Sequence, residues 1–508
     1  MTAPAAKPAR PKTGRAAARR SGPLTGAAIA PGDKSISHRS LILGALSPGE
    51  SRITGLLEAD DVLRTAAAMR ALGADVERDG PKESRVWRVT GAPWKNPEKA
   101  LYLGNSGTGV RLIMGAVAGA GVGASFDGDV SLRSRPMGRV LEPLRMMGAE
   151  ASDHGGRLPV TLEAGQPLNA INVKLATPSA QVKSAILLAA LGATGVTRVH
   201  EPELCRDHTE RMLAAFGVRL SMQPDGAGGR YIELEGGQKL ASCDVAVPGD
   251  PSSAAFPVAA ALIVPNSDIV VKGVLINPLR AGLYETLREM GADISFENSR
   301  TENGEPVADI RARYSLLRGV EVPAERAPSM IDEYPILAIV AAHAHGETMM
   351  RGLEELRVKE SDRIACVEGG LVANGGDAAS GPDWLRVRGK GHRLKGGATV
   401  KTHHDHRIAM SFLVAGLASE KPVEIDDASM TKSLVIALDG PAASGKGTLA
   451  RLISDHYGFA HLDTGTLYRG VAWVVMNAGG DPRDPETAAE AARNFAVEKI
   501  TNADIRTK

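Results

Sequence analysis

The chain has 508 residues, of which 43% are apolar and 4% are aromatic, and its formal net charge is +1. This length suggests about three domains, and the near-neutral charge argues against a general nucleic-acid or membrane partner, although a local basic cluster could bind an acidic small molecule. The three cysteines are widely spaced and lack metal-ligand spacing, which predicts a reducing compartment, the cytoplasm. The sequence contains no run of about 18 apolar residues, the length that a membrane-spanning helix needs.

The first 22 residues carry six lysines and arginines, no acidic residue, and many alanines and prolines. This composition predicts a disordered basic tail over residues 1–22. The segment lacks the apolar stretch of a secretory signal. An arginine-rich and acid-free start is also typical of an organelle transit peptide, so both interpretations stay open.

A helix-like stretch that ends in glycine recurs along the chain at intervals of 69 to 84 residues. Each copy is predicted to end an amphipathic helix at a glycine C-cap and to start a strand directly afterwards. Units of this length are too long for a solenoid and indicate small α/β subdomains. The glycines of the five copies are Gly73, Gly148, Gly217, Gly291 and Gly375.

A Pro-Gly-Asp turn occurs twice, at 31–33 and 248–250, and each turn precedes a predicted helix start. Such turns are common, but together with the glycine series they indicate a duplicated chain that divides near 33 and 248. The pattern stops at Leu434, where a different kind of sequence begins. Five units are therefore predicted, with a sixth that is truncated.

Six short motifs contain a lysine or arginine, or lie within two residues of one, and each lies close to a glycine or a predicted helix start. A helix start presents backbone N–H groups, so a cation at that point makes an anion site. Any single motif could equally be a solvated helix start, but six together indicate a substrate with several phosphate and carboxylate groups. In the fourth motif, Thr177 is the predicted N-cap of a helix and Pro178 its first residue. The motifs are GDKSISHRS, GNSGTG, RPMGR, PSAQVKSAILLA, RVKESDR and HHDHRIAMSF.

Two acidic residues stand out against this cationic background. Asp332 precedes a strongly apolar predicted helix, where it is either a reactive group or an acid favoured by the helix dipole. Glu360 lies between Lys359 and Arg363, and a carboxylate in a cationic pocket is a candidate for acid–base chemistry. The histidines of the HHDHR motif have no second ligand group elsewhere in the chain, so no metal is predicted.

In their order and spacing, the six motifs resemble those of EPSP synthase (3-phosphoshikimate 1-carboxyvinyltransferase) over about residues 24–430. The segments VPGDPSSAAFP and RAPSMIDEYPILA are similar to the second sequence class of that family. The resemblance implies an α/β enolpyruvyl transferase fold of two domains, each built from three copies of a small α/β unit. A split domain would comprise residues 23–35 and 248–430 and be incomplete at its end, and a continuous domain would comprise residues 36–247.

Members of this family transfer the enolpyruvyl group of phosphoenolpyruvate to the 5-hydroxyl of shikimate 3-phosphate and release phosphate, in the shikimate pathway to chorismate and the aromatic amino acids. We expect the same two substrates here, no metal or other cofactor, no nucleic-acid partner, a monomer and a cytoplasmic location. The related UDP-N-acetylglucosamine 1-carboxyvinyltransferases carry a reactive cysteine in the loop before their Arg-Pro pair. The segment SLRSRPMG has none, which argues against that alternative.

The resemblance assigns roles to matching positions. Asp332 would be the base on the 5-hydroxyl, Glu360 the proton-transfer partner at the methylene carbon, and Lys34 the third catalytic residue. Shikimate 3-phosphate would be bound by Lys34, Ser35, Arg39, Ser179, Ala180, Gln181, Asp332 and Lys359. Phosphoenolpyruvate would be bound by Lys34, Asn105, Gly107, Arg135, Gln181, Arg363 and Arg407. Some enzymes of the second class carry alanine at the position of Gly107 and exclude the inhibitor glyphosate, so the glycine predicts that glyphosate competes with phosphoenolpyruvate here.

The segment LVIALDGPAASGKGT, which begins at Leu434, predicts a strand, a glycine-rich loop and a helix start. With HLDTGTLYRG, it resembles cytidylate kinase over residues 434–508, inside a C-terminal fragment that begins at 431. The later strands, lid and catalytic arginines of that family do not follow, so the fragment is expected to be inactive. Because it also replaces the end of the sixth unit, a catalytically impaired fusion product is the alternative to an active transferase. Its nucleotide-phosphate residues would be Gly440, Gly445, Lys446 and Thr448.

Overall fold

The computed structural model describes residues 14–80, 85–165, 167–428 and 481. The chain divides into a compact unit that extends to Ser433 and a second unit from Leu434 to Lys508. All described helices and strands belong to the first unit. In this described part of the chain, no helix is both long enough and apolar enough to cross a membrane.

Thirteen α-helices occur in the described residues, together with short 3-10 helices at Pro278–Arg280, Ala324–Arg326 and Glu354–Val358. The α-helices are α1 (Lys34–Leu46), α2 (Asp60–Leu72), α3 (Gly107–Gly119), α4 (Val130–Ser134), α5 (Gly138–Met146), α6 (Ala180–Ala190), α7 (His208–Ala215), α8 (Pro251–Ile263), α9 (Gly282–Glu289), α10 (Ala327–Met330), α11 (Tyr334–His343), α12 (Arg363–Ala373) and α13 (His406–Leu417).

The strands are mostly short, and the longest pair forms one hairpin in the second half of the unit. They are β1 (Ala16–Ala18), β2 (Thr25–Ile29), β3 (Gly49–Thr54), β4 (Asp75–Asp79), β5 (Val86–Gly91), β6 (Leu101–Tyr102), β7 (Ala124–Asp127), β8 (Ala151–Asp153), β9 (Val160–Leu162), β10 (Leu168–Asn169), β11 (Asn172–Lys174), β12 (Ala193–Thr194), β13 (Val196–Glu201), β14 (Leu220–Pro224), β15 (Arg230–Glu235), β16 (Val245–Ala246), β17 (Asp268–Leu275), β18 (Asp293–Glu302), β19 (Glu305–Arg313), β20 (Glu321–Val322), β21 (His345–Arg351), β22 (Asp377–Ser380), β23 (Trp384–Lys390), β24 (Thr399–Val400) and β25 (Val423–Ile425).

Five four-stranded sheets share one topology. Each has a parallel pair of strands, and the second strand of that pair continues through a helix into an antiparallel hairpin. Their strand orders are β16-β3-β5-β4, β6-β7-β9-β8, β11-β13-β15-β14, β2-β17-β19-β18 and β20-β21-β23-β22. The predicted repetition of small α/β units is confirmed.

Two strands are exchanged between the halves of the unit. β2 leads into α1 but pairs with β17, and β16 leads into α8 but pairs with β3. The chain crosses between the halves at its two Pro-Gly-Asp turns, where Asp33 caps α1 and Asp250 caps α8 with side-chain hydrogen bonds of 2.8 and 2.9 Å. This exchange supports the predicted division into a split and a continuous domain, which stays a prediction.

The sheet of the sixth unit has three strands among the described residues, in the order β1-β25-β24. β1 pairs antiparallel with β25, in the place of the last strand of the other units. The prediction that residues 1–22 form a disordered tail is therefore wrong for residues 14–22, which backbone bonds such as Ser21 N to Leu417 O (2.9 Å) fix in place. The composition of residues 14–22 does not predict this strand, because the residues that pair with it, in β25 and at Leu417, lie at the other end of the unit. Residues 1–13 lie outside the described residues.

The glycine that ends each repeated helix adopts a positive φ, between 83° and 113°. A side chain strains the backbone in this conformation, so glycine is the residue that closes these turns at least cost. The predicted C-cap is confirmed for Gly73, whereas in the other four copies the C-cap is the residue directly before the glycine.

Two buried apolar clusters fill the interior. One lies between Ile36 and Val247 and includes Leu275, and the other combines Ala30 with residues between Ala254 and Ile425. Aliphatic side chains dominate both clusters, chiefly leucine, isoleucine, valine and alanine, and few aromatic residues take part. In the first cluster, a Cβ on Gly115 would lie 2.2 Å from the carbonyl oxygen of Ala185, so glycine permits the close approach of α3 and α6.

Candidate active site

The first group of predicted site residues lies at the start of α3, within residues 36–247, which are called the continuous domain below after the prediction. Ser106 caps this helix by accepting a backbone hydrogen bond at 3.2 Å, and Gly107 is its first residue. Arg111 lies one turn on and donates to the Gly107 carbonyl at 3.1 Å and to Gln181 Oε1 at 2.7 Å. A third bond, of 3.0 Å, runs to the carbonyl of Pro136. All of these acceptors are neutral, so they leave the guanidinium charge uncancelled.

Gly107 leaves space for two guanidinium groups. A Cβ at this position would lie 2.8 Å from Arg135 Nη1 and 3.1 Å from Arg111 Nη1. Burial and the like charges of Arg135 and Arg139 lower the pKa of Arg111 to about 10. Two neighbouring arginines at a helix start, beside a residue without a side chain, form a site for a small anion.

The start of α6 supplies polar groups next to these arginines. Ser179 is the N-cap residue and accepts a backbone hydrogen bond at 3.4 Å, and Ala180 is the first helical residue. The prediction that Thr177 caps this helix is wrong by two residues, because Ser179 offers the same kind of hydroxyl oxygen closer to the first turn. Gln181 joins α6 to α3, since its amide nitrogen donates to Thr108 Oγ1 at 3.0 Å.

Lys34 begins α1, and its ammonium group contacts the carboxylate of Asp61. Burial would raise the pKa of Asp61, but Lys34 lowers it by its charge and its hydrogen bond. Ser35, the next residue, is partly exposed. Asn105 keeps its side-chain oxygen buried without a hydrogen-bond partner in the described part of the chain.

Arg39 is buried, with 3% of its surface exposed. Its guanidinium group donates to Thr209 Oγ1 at 2.7 Å, to Ser184 Oγ at 2.8 Å and to the Ser35 carbonyl at 2.9 Å. In this arrangement Arg39 connects α1, α6 and α7, and its predicted contact with shikimate 3-phosphate stays a prediction.

The second group lies around Asp332, in the turn between α10 and α11 and within the residues predicted as the split domain, a name kept below. Asp332 Oδ1 lies 3.1 Å from Arg363 Nη1, and Oδ2 lies 3.0 Å from Arg206 Nη2. Arg206 lies in the predicted continuous domain and Arg363 in the predicted split domain, so the carboxylate contacts one arginine from each. Arg407 adds a hydrogen bond of 3.1 Å to the Asp332 carbonyl.

Arg363 is the first residue of α12 and is 1% exposed. In addition to Asp332, it contacts Glu360 Oε2 at 2.5 Å and Asp405 Oδ2 at 2.8 Å. Asp405 is itself the N-cap of α13. Burial would lower the pKa of Arg363, but these carboxylates raise it above its ordinary value. The arginine is therefore charged and held on three sides.

Lys359 and Glu333 border this group. Lys359 Nζ lies 3.5 Å from Glu355 Oε2 at the edge of the site. Glu333 is 3% exposed and accepts a hydrogen bond of 3.4 Å from Arg407 Nη1. Burial raises the pKa of Glu333 above its ordinary value, because the charge of Arg407 offsets it only in part.

Both predicted acid–base groups are ionised in the free protein. Burial would raise the pKa of Asp332, but the charges of Arg407, Lys359 and two further arginines hold it well below 3.8. Partial burial would likewise raise the pKa of Glu360, and the charge of Arg363 lowers it below 4.5. Asp332 can therefore accept a proton at once, whereas Glu360 must first acquire one.

One group of potential metal ligands occurs among the described residues. Ligand atoms of Asp207, His208 and Glu305 lie within 4.8 Å of one another. Asn277 donates hydrogen bonds to both carboxylates, at 2.7 and 2.8 Å. These oxygens already have partners, so the group acts as a polar contact between the two domains.

The resemblance does not assign Arg111, Arg206 or Asp405 to the site. Arg111 follows the GNSGTG motif by one helical turn, and Asp405 belongs to HHDHR, so the local sequence contains a signal for both. Arg206 lies in a charged run, CRDHTER, whose position opposite Asp332 depends on how the domains pack. The predicted nucleotide-phosphate residues Gly440, Gly445, Lys446 and Thr448 lie outside the described residues.

The chain matches two family models. The model of EPSP synthase (3-phosphoshikimate 1-carboxyvinyltransferase) matches residues 18–433, and that of cytidylate kinase matches residues 436–505. The proteins named 3-phosphoshikimate 1-carboxyvinyltransferase from Paracoccus denitrificans and Roseobacter denitrificans are 59% and 58% identical to it, over 81% and 80% of this chain and 92% and 91% of their own. A solved EPSP synthase structure from Acinetobacter baumannii matches with a TM-score of 0.75 and 41% identity, over 87% of this chain and 98% of its own. Over residues 18–433, the chain belongs to the EPSP synthase family.

Proposed function

We propose that this chain transfers the enolpyruvyl group of phosphoenolpyruvate to the 5-hydroxyl of shikimate 3-phosphate and releases phosphate. One observation carries the proposal: the ionised carboxylate of Asp332 is held beside Arg363 and Arg407 in a single cluster. Such a cluster can bind an anionic substrate and remove a proton from it. Membership of the EPSP synthase family supports the same assignment.

Both substrates carry a phosphate and a carboxylate, and the site offers cations at several helix starts. We assign phosphoenolpyruvate to Lys34, Asn105, Gly107, Arg135, Gln181, Arg363 and Arg407. We assign shikimate 3-phosphate to Lys34, Ser35, Arg39, Ser179, Ala180, Gln181, Asp332 and Lys359. The neutral acceptors of Arg111 support this assignment, since an arginine without a carboxylate contact keeps its charge for a bound anion.

The chemistry requires two proton transfers. In the addition step, the 5-hydroxyl oxygen bonds to C2 of phosphoenolpyruvate, its proton passes to Asp332, and C3 takes a proton from Glu360. The tetrahedral intermediate is rich in negative charge, which fixed cations stabilise in a closed site. In the elimination step, the bond from C2 to the phosphate oxygen breaks, C3 returns a proton to Glu360, and Asp332 gives its proton to the departing phosphate.

Glu360 must be protonated before it can donate a proton to C3 of phosphoenolpyruvate. In the free protein, partial burial favours the protonated form, but the charge of Arg363 outweighs it and lowers the pKa. Phosphoenolpyruvate bound to Arg363 would share that positive charge and add negative charge nearby. Both effects raise the pKa of Glu360, so we expect proton uptake when this substrate binds.

Phosphate release by the purified chain tests the proposal. Phosphate should appear only when both substrates are present, and Asp332→Asn should suppress it. If the folded wild-type chain releases none, a variant with a complete sixth unit grafted after Met430 distinguishes two explanations. Activity of the graft alone would mean that the chain is the catalytically impaired fusion product, whereas inactivity of both would contradict the proposed function.

The remaining expectations stay predictions. The inactivity of the cytidylate-kinase-like segment is tested by incubating the chain with ATP and CMP, and the monomeric state by its mass in solution. The cytoplasmic location is tested by fractionating cells that produce the chain.

A further inference from the structure

The carboxylate of Asp332 joins the two domains. Its Oδ1 lies 3.1 Å from Arg363 Nη1 of the split domain, and its Oδ2 lies 3.0 Å from Arg206 Nη2 of the continuous domain. The side chains of Arg206 and Asp332 are 21% and 19% exposed, so solvent screens this contact only in part. The orientation of the carboxylate therefore depends on both domains at once.

The residues that follow Arg206 fix it to the split domain. Asp207 Oδ1 accepts a hydrogen bond of 2.7 Å from Asn277 Nδ2, and His208 Nδ1 lies 2.7 Å from Glu305 Oε1. Glu305 also accepts a bond of 2.8 Å from Asn277. His208, Asn277 and Glu305 are buried, and hydrogen bonds in such surroundings are strong.

Glu305 follows directly on the turn of the hairpin formed by β18 and β19. The turn residue Asn303 binds the chain where it crosses between the domains: its amide nitrogen donates to the Asp244 carbonyl at 2.7 Å, and its oxygen accepts from Ala246 N at 3.0 Å. The carbonyl of Gly304 accepts a bond of 2.7 Å from a side chain of α7. The hairpin tip thus fixes α7, and the segment before it, relative to the split domain.

We propose that Arg206 is a positioning residue for the reaction, that it holds Asp332 in place across the domain boundary, and that the buried His208–Glu305 pair keeps Arg206 within reach of it. The inference rests on the proposed function, because it takes Asp332 as the base. Arg206 acts through Asp332, and it couples the closeness of the two domains to the orientation of the base.

The electrostatic effect of Arg206 has a definite sign. Burial raises the pKa of Asp332, and the surrounding cations outweigh it. Removal of Arg206 takes away one of these cations, so the pKa of Asp332 rises and the acid limb of the pH–rate profile moves to higher pH. The charged groups that face Asp332 are the cations Arg206, Arg280, Lys359, Arg363 and Arg407 and the acids Glu333 and Glu360.

Three substitutions test the proposal in the full chain. Arg206→Ala should lower kcat by roughly 10- to 100-fold, the cost of a misplaced catalytic group, with a smaller change in the KM of phosphoenolpyruvate. Arg206→Lys, which retains the charge, should recover part of that loss. Glu305→Gln should lower kcat in the same direction by less. As a control, Arg198→Ala removes an exposed arginine of the same domain that pairs with Glu233, and it should leave kcat and the pH profile unchanged.

The double variant Arg206→Ala/Asp332→Asn separates positioning from general damage to the fold. If Arg206 acts through Asp332, the double variant turns over no more slowly than Asp332→Asn alone. Multiplied losses in the double variant, or an unmoved acid limb in Arg206→Ala, would overturn the inference.

Failure of the proposed function would be visible separately, because the wild-type chain would then release no phosphate from the two substrates. The inference would in that case be decided by the melting midpoints of four proteins: the wild-type chain, Arg206→Ala, Asp332→Asn and the double variant. A direct contact between Arg206 and Asp332 predicts that the two single substitutions lower the midpoint by amounts that do not add in the double variant. Additive shifts would overturn it.

Discussion

The two halves of the candidate site use arginine in opposite ways. In the continuous domain, Arg111 donates to neutral acceptors, and Arg135 faces the same helix start beside Gly107. In the split domain, Arg363 contacts three carboxylates, among them Asp332. The first half keeps positive charge available for an anion, and the second uses its charge to hold carboxylates ionised and in place.

This difference assigns substrate binding mainly to the first half of the site and proton transfer to the second. An arginine with neutral partners gains a charge-assisted hydrogen bond when an anionic substrate arrives. An arginine that is already paired with carboxylates must share its charge, but it fixes the groups that move protons. We therefore expect substitutions of the arginines near the start of α3 to weaken substrate binding, and substitutions around Asp332 to slow turnover.

The largest effect is expected at the two acid–base groups. Asp332→Asn and Glu360→Gln should each lower kcat by about 100-fold or more, the usual contribution of a positioned acid or base. Phosphate release at saturating concentrations of both substrates measures this. Glu354→Gln, which changes an exposed acid of the same segment, is the matched control and should be near normal. Near-normal turnover in either test variant, with the fold intact, would remove that residue from the mechanism.

A second effect sharpens the contrast from the binding side. Arg135→Met should raise the KM of phosphoenolpyruvate by roughly 10- to 100-fold, since a hydrogen bond to a charged group contributes about 1.5–3 kcal/mol, and should change kcat less. Initial rates at varied phosphoenolpyruvate give both constants. Arg145→Met, at an exposed arginine that pairs with Asp153, is the control. A fall in kcat at unchanged KM would contradict the assignment of Arg135 to substrate binding, and with it the difference between the two halves.

The next effect concerns the space beside Gly107. In Gly107→Ala, the new methyl group would lie 2.8 Å from Arg135 Nη1, so the guanidinium group must shift and the anion pocket becomes shorter. The inhibition constant of glyphosate, a slightly longer anion, should rise roughly 10-fold or more, and the KM of phosphoenolpyruvate should rise less. Gly138→Ala, where the nearest atom is 3.8 Å away, is the control. Equal changes for inhibitor and substrate would contradict the steric account.

Features that depend on local pattern were predictable from the sequence. A glycine at each repeated helix end adopts the positive φ that the pattern predicts. Asp33 and Asp250 cap the helices that follow the two Pro-Gly-Asp turns. Arg363 and Glu360 lie in one short motif, so their contact follows from a spacing of three residues at a helix start.

Features that depend on distant contacts were not predictable. Residues 16–18 are three alanines with little apolar surface, and they form β1 only because β25 supplies hydrogen-bond partners from far along the chain. The contact of Arg206 with Asp332 depends on how the two domains pack. The cap of α6 was misplaced for a third reason, since Thr177 and Ser179 offer equivalent hydroxyl groups and only the observed backbone decides between them.

The smallest expected effect compares two adjacent carboxylates of the split domain by their contributions to stability. Burial acts on both, but nearby cations hold the pKa of Asp332 well below 3.8, whereas the pKa of Glu333 is raised above 4.5. A lowered pKa means that the folded state favours the ionised group. The stabilisation from Asp332 is therefore complete above about pH 4 and is lost as the pH falls through its folded-state pKa.

For Glu333 the sign is reversed. The folded state favours its protonated form, so its contribution declines as the pH rises from about 4.5 through the folded-state pKa. At pH 7, Asp332→Asn should lower the melting midpoint by several degrees, because breaking one side of a buried ion pair costs about 3–5 kcal/mol, while Glu333→Gln should leave it unchanged or raise it. Melting of the three proteins between pH 8 and pH 3 measures this: the deficit of Asp332→Asn should begin to shrink below pH 4, and any advantage of Glu333→Gln should shrink towards pH 4.5. A deficit of equal size in both variants at pH 7 would contradict the opposite signs inferred for the two carboxylates, because it would mean that the surrounding cations stabilise both ionised forms alike.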